Sequence, residues 1–141
     1  MKNVVILESL GISNEELESF KKNFKDEVKF TEYDKTTDTE KLIEEAKDAD
    51  ALIIANMPLP GTVISACPKL QFIDVAFTGV DHVGLDAAKE KGIKVSNASG
   101  YSNEAVSELV IGMALSLLRT FLRRKTVFVT AVPKTDWSDV N

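Results

Sequence analysis

Apolar, β-prone runs and helix-forming segments alternate along most of this chain, and that alternation restricts the folds open to it. The runs are residues 4–7, 28–33, 50–55, 70–77 and 93–96. Val4, Val5, Ile6 and Leu7 form a continuous apolar run, and so do Ala51, Leu52, Ile53, Ile54 and Ala55, as expected of strands covered on both faces. Residues 28–33 alternate and are β-rich, the pattern of a strand nearer an edge. Between the runs lie helix signals. Ser13 with Glu16 makes a capping-box pattern, and the helix it opens carries Leu17, Phe20 and Phe24 on one face. Thr37 or Asp38 opens a second helix with Leu42, Ile43 and Ala46 inward. Residues 62–66 form a short helix ended by Cys67 and Pro68, and residues 86–91 form another closed by Gly92. Residues 104–119 form the longest. Met57-Pro58-Leu59-Pro60-Gly61 is neither helix nor central strand, because its prolines lack the backbone donor. Strict alternation implies a parallel sheet with right-handed crossovers. The predicted fold is therefore α/β and flavodoxin-like: five parallel strands in the order 2-1-3-4-5, helices on both faces, and a long apolar C-terminal helix. The predicted divisions are residues 1–103, 104–119 and 120–141.

The chain has 141 residues, 44% hydrophobic and 28% charged, which suits one soluble domain. A formal charge of −5 and a pI near 4.9 make nucleic acid and anionic membrane poor partners. The single cysteine, Cys67, permits no internal disulfide. The N-terminus leads straight into a strand instead of reading as a signal peptide, and no run suits a bilayer span, so a cytoplasmic protein is expected.

The chemistry-bearing residues are few. A phosphate-accepting receiver domain needs an acidic pair after the first strand and an aspartate ending the third. Here those places hold Glu8-Ser9 and Asn56, which excludes that reading. A flavin-phosphate loop after the first strand is disfavoured, because residues 8–13 are apolar and begin with an anion. The Thr78-Gly79-Val80 turn is a better candidate. A glycine lets a ligand approach the main chain closely, and successive N–H groups in such a turn can form a nest for a carboxylate. The alternative, a strand-to-helix connection that needs a small residue, stays open. Asp81 reads as a cap for the next turn, His82 as a structural histidine, and Cys67 as a buried small hydrophobe. The sequence has no metal-ligand cluster, no Gly-x-Ser-x-Gly and no Gly-x-Gly-x-x-Gly.

Three segments carry a resemblance: Thr78-Gly79-Val80-Asp81-His82-Val83, then Ala87-Ala88-Lys89-Glu90-Lys91-Gly92-Ile93-Lys94-Val95-Ser96-Asn97, then Gly100-Tyr101-Ser102-Asn103-Glu104-Ala105-Val106-Ser107-Glu108. Together with Pro68-Lys69-Leu70-Gln71-Phe72-Ile73 they resemble the D-isomer-specific 2-hydroxyacid dehydrogenases, the family of D-lactate, glycerate, formate and 3-phosphoglycerate dehydrogenases. The resemblance covers residues 1–119 and implies a substrate domain whose partner, a Rossmann domain, binds NAD(H). It implies that N–H groups of Thr78, Gly79 and Val80 hold the carboxylate of a small 2-hydroxy or 2-oxo acid. It places Tyr101, Ser102 and Val106 on the nicotinamide side of the cofactor. The family's catalytic arginine, glutamate and histidine lie in or after the Rossmann half and have no counterpart here; His82 is not that histidine. No catalytic residue is expected in this chain, NAD is expected not to bind to it alone, and it is expected not to turn over a 2-oxo acid by itself. An alternative is a stand-alone carboxylate-binding or dimeric interaction module.

After Arg119 the resemblance stops. Residues 120–141 read as foreign to the family, and permissible codons read one base out of register restore a family-like continuation, so a frameshifted or truncated product is expected. Residues 126–132 are β-prone. In the helix, Val106, Leu109, Val110, Ile111, Met113, Leu115, Leu117 and Leu118 are apolar nearly all round, so residues 106–118 are expected to build a homodimer.

Overall fold

In the computed structural model all five strands run the same way, in one sheet of order β2-β1-β3-β4-β5. The structure describes residues 1–122, so the β-prone residues 126–132 lie outside the described residues, as does nearly all of the 120–141 segment. The strands are β1 (Lys2–Ile6), β2 (Val28–Glu32), β3 (Ala51–Ile54), β4 (Phe72–Val75) and β5 (Lys94–Asn97). The helices are α1 (Asn14–Lys22), α2 (Thr39–Ala46), α3 (Gly61–Ala66), α4 (Leu85–Glu90) and α5 (Asn103–Leu122). The chain divides into two units, Met1–Gly100 and Tyr101–Asn141. The first carries the sheet and α1 to α4, and the second carries α5.

The local signals act as the sequence indicates. Ser13 accepts from the Glu16 N–H at 3.2 Å while the Glu16 carboxylate accepts from the Ser13 N–H at 3.0 Å, a closed capping box. Asp38 caps α2 through the N–H groups of Glu40 and Lys41. Gly92, just past the Lys91 C-cap, has φ +69°, the left-handed conformation that favours glycine. Lys91 itself donates to the Ile64, Ser65 and Cys67 carbonyls and so closes the end of α3.

The core lies between one face of the sheet and α2, α3 and α4. It joins Val5, Leu7, Leu52, Ile54, Ile73 and Val75 to Leu42, Ala46, Val63, Ile64 and Ala88. On the opposite face α1 meets the sheet at its β2 edge, where the Phe20 ring lies 6.2 Å from that of Phe30. Phe30 is in register with Val4, not Val5, so it belongs to that second face. The expectation of two covered faces fails here. Strand β3 is buried on one side only, with Leu52 and Ile54 inside and Ala51 and Ile53 half-buried, and β4 repeats the pattern. Phe20 and Phe24 stay 50% and 40% exposed, so α1 buries none of its residues. One short helix over an edge pair of strands covers too little of that face, and it is the only helix the first unit places there. On β4 this leaves Asp74 half-buried, and burial pushes its carboxyl above the ordinary aspartate value.

The loops after β3 and β4 are fastened together. Leu59 donates to the His82 carbonyl at 2.9 Å and accepts from the Gly84 N–H at 2.9 Å. The approach is close enough that a Cβ on Gly84 would stand 2.5 Å from the Gly61 nitrogen and 2.6 Å from its Cα. Both are backbone atoms opening α3, and neither can swing aside. Gly84→Ala should therefore destabilise the fold by about 1–3 kcal/mol, the usual range for overpacking. Denaturant unfolding measures this; an unchanged midpoint would contradict the fit described here.

Candidate functional site

The two loops converge on a turn whose hydrogen bonding is one-sided. The carbonyls of residues 77, 78 and 80 are all tied back into the protein. Phe77 accepts from the Ala98 N–H at 3.1 Å, Thr78 from the Asn97 side-chain amide at 2.6 Å, and Val80 from the Val83 N–H at 3.0 Å. The N–H groups of Thr78, Gly79 and Val80 donate to nothing among the described residues. Thr78 is exposed, and Gly79 and Val80 are half-buried, at the carboxyl edge of the sheet. Three successive unpaired donors on a fixed turn are suited to an anion with two oxygens.

Gly79 has a different reason for being glycine from the one its position suggests. Its φ is not positive, so the turn does not require it. A Cβ there would meet only the Asp81 Oδ2 atom, at 3.8 Å, an ordinary contact. Among the described residues nothing excludes a side chain at 79. Asp81 is not the expected cap. It is exposed, and the N-cap of α4 is Gly84, without a side-chain bond.

Neighbouring strands hold this edge rigid through a residue that sequence reasoning missed. Glu8, just beyond β1, is 5% exposed. Its Oε1 accepts from the Ala55 N–H at 2.8 Å and the Met57 N–H at 2.7 Å, and its Oε2 lies 3.3 Å from the Lys35 ammonium. Lys35 also donates to the Asn56 side-chain oxygen at 3.0 Å. Burial alone would push the Glu8 carboxyl up; the Met57 and Ala55 donors and Lys35 outweigh it and hold the group below the ordinary glutamate value. The signal available in sequence was a charged residue directly continuing an apolar strand, which must find partners if buried. His82, half-buried, lies on the other side of the same loop, with Nε2 3.0 Å from the Ala55 carbonyl. Cys67 is buried with its thiol on the Val63 carbonyl at 3.1 Å, and burial pushes the thiol up, away from reactivity.

The remaining expected residues belong to the second unit. Tyr101 is 75% exposed, Ser102 is half-buried, and the Ser102 carbonyl accepts from the Val106 N–H at 2.9 Å in the first turn of α5. Val106 is 53% exposed, as are other apolar residues of this helix, among them Leu109 at 61% and Leu117 at 67%. Among the described residues no group of three or more His, Cys, Asp or Glu could hold a metal ion, and no helix is long and apolar enough to cross a membrane.

Comparison with known proteins decides the family. The description "D-isomer specific 2-hydroxyacid dehydrogenase, catalytic domain" matches residues 4–136. This chain belongs to the D-isomer-specific 2-hydroxyacid dehydrogenase family. The match runs past Arg119 and so includes much of the 120–141 segment. A putative 2-hydroxyacid dehydrogenase of Haemophilus influenzae is 41% identical over 100 residues, covering 69% of this chain and 31% of that protein. Glycerate dehydrogenase of Methylorubrum extorquens is 30% identical over 137 residues, covering 97% of this chain and 41% of that protein. D-lactate dehydrogenase of Aquifex aeolicus, solved with NAD and lactic acid, aligns with a TM-score of 0.62 at 29% identity, over 82% of this chain and 33% of that one. The chain thus spans about a third of the length of these dehydrogenases.

The Glu8 arrangement has a measurable pH signature. Its folded value lies below its unfolded one, so it stabilises the fold above about pH 4.3, and that contribution is lost as pH falls through the lower folded value. Glu8→Gln, which leaves the Ala55 and Met57 donors sharing a neutral amide, should cost about 1–3 kcal/mol at pH 7. The gap between variant and parent should close in acid. A gap independent of pH in urea unfolding would count against the assignment.

Proposed function

We propose that this chain is the substrate-holding part of an NAD-dependent oxidoreductase acting on the CH–OH group of D-2-hydroxy acids, and that Thr78, Gly79 and Val80 grip the carboxylate of the 2-hydroxy or 2-oxo acid. The observation that carries the reading is the turn itself: the carbonyls of residues 77, 78 and 80 committed, three successive amides without a partner among the described residues, and a glycine that neither φ nor a close neighbour among them requires. Membership of the dehydrogenase family supports it. Within the same reading Tyr101, Ser102 and Val106 face the nicotinamide end of the cofactor.

The residues of this chain do not fit a whole dinucleotide. None of the glycines forms a Gly-x-Gly pair, so no phosphate cradle of that type is present. No hydride or proton transfer is therefore derived through these residues. Their part is to bind and orient: the nest fixes the carboxylate end, which fixes the direction in which C2 is offered. Titration of the 15N-labelled chain with D-glycerate should move the amide signals of Thr78, Gly79 and Val80 ahead of all others. Gly79→Ala should leave stability within about 0.5 kcal/mol yet abolish those shifts. Shifts that survive the alanine would sink the proposal.

The exposure of Val106, Leu109, Val110, Ile111, Met113, Leu115, Leu117 and Leu118 favours a further element, a homodimer through residues 106–118. Such a helix needs a partner on more than one side. Size-exclusion chromatography at tens of micromolar should give a dimer, and Leu109→Glu with Leu117→Glu should return it to a monomer. A monomeric parent chain would remove the dimer without touching the carboxylate site.

A further inference from the structure

The main chain of Ala55 is held on both sides by side chains from other loops. Its N–H donates to Glu8, beyond β1, and its carbonyl faces His82, beyond β4. A carbonyl can only accept, so the His82 Nε2 carries the proton of this bond. His82 is two residues from Val80, and its own carbonyl accepts from Leu59. The loop is also held by the Gly84 N–H on the Leu59 carbonyl, by Asn97 and Ala98 on the β5 side, by its own Val83 to Val80 bond, and by Val80 and Val83 packed on the core. Among the described residues His82 is the one side chain of this loop that hydrogen-bonds toward β3.

We infer that His82 is a positioning residue for carboxylate recognition, setting the direction of the Thr78, Gly79 and Val80 amides through its bond to the Ala55 carbonyl, which Glu8 holds in place. This rests on the reading of the turn as the substrate-carboxylate nest. It gives the only histidine of the chain a role that is neither proton transfer nor filling of the core. The role demands a donor at the far end of the side chain and nothing more. Glutamine carries such a donor at similar reach; leucine and phenylalanine do not.

The test uses the full 141-residue chain, labelled with 15N, in the parent form and as His82→Leu and His82→Gln. Two readouts are taken: amide shifts and hydrogen exchange without ligand, and apparent affinity for D-glycerate and D-lactate. In His82→Leu the amides of Thr78, Gly79 and Val80 should shift and the Leu59 amide should exchange faster, while β1 and β3 amides stay in place. Affinity for either acid should fall about fivefold to tenfold, the loss expected when one ordering bond goes. His82→Gln should restore both readouts, which a loss of packing volume would not allow. Unmoved turn amides in His82→Leu, or failure of glutamine to restore them, would overturn the inference. If His82→Leu does not fold, His82→Phe keeps the ring volume without the donor and is read the same way. If the parent chain binds neither acid, the nest proposal fails, and the positioning claim is then decided by the ligand-free turn amides alone.

Discussion

Parallel pairing of the strands is the constraint on which the rest depends. When all five strands run one way, every strand ends at the same edge, and the loops after β1, β3 and β4 must meet there. In such sheets a ligand ordinarily enters where neighbouring strands send their helices to opposite faces. Here that place lies between β1, which leads to α1, and β3, which leads to α3 on the core side. Two donors in that crevice are already taken. Glu8 takes the Ala55 and Met57 donors that an incoming anion would use. The protein's own carboxylate thus occupies one anion position, and the free donors move two strands along the edge, to the turn after β4.

Two glycines of the β4–α4 loop show how space can be assigned to the protein or to a ligand. Gly84 is required by the fold, because Gly61 backbone stands where its Cβ would go. Gly79 is not required by φ or by any close internal neighbour. Both read alike as letters in a loop. The distinction needs coordinates, since it lies in contacts between residues far apart in sequence.

That contrast marks how much was legible beforehand. Elements whose cause is local could be read: the Ser13 capping box, Asp38 at the head of α2, Gly92 after α4, and the parallel order that alternation and right-handed crossovers impose. The Thr78 turn could be placed, because a glycine after a buried strand is a local pattern. Burial on the second face could not. Apolar runs at β3 predicted two covered faces, but coverage depends on where α1 docks, and α1 reaches only the edge pair. Glu8 escaped for a related reason: its partners, the Ala55 and Met57 N–H groups, are main-chain donors, which leave no mark in a sequence; His82 was read as structural, but its partner, the Ala55 carbonyl, was not legible. Asp81 was misplaced as a cap because the chain winds on to Gly84 before α4 begins.

The electrostatics of the turn limit what it can do alone. Three amides each contribute about 1.5–3 kcal/mol to a charged partner, and association itself costs about 4–15 kcal/mol. The surplus runs from nothing to about 5 kcal/mol, so binding is sub-millimolar at best. Asp81 works against the anion from one side, and no cation of the described residues is bonded to the turn: Lys35 is committed to Glu8 and Asn56, and Lys91 to the end of α3. A carboxylate held this way gains direction more than affinity. On the proposed reading, neutral donors of this kind orient a small acid more than they trap it.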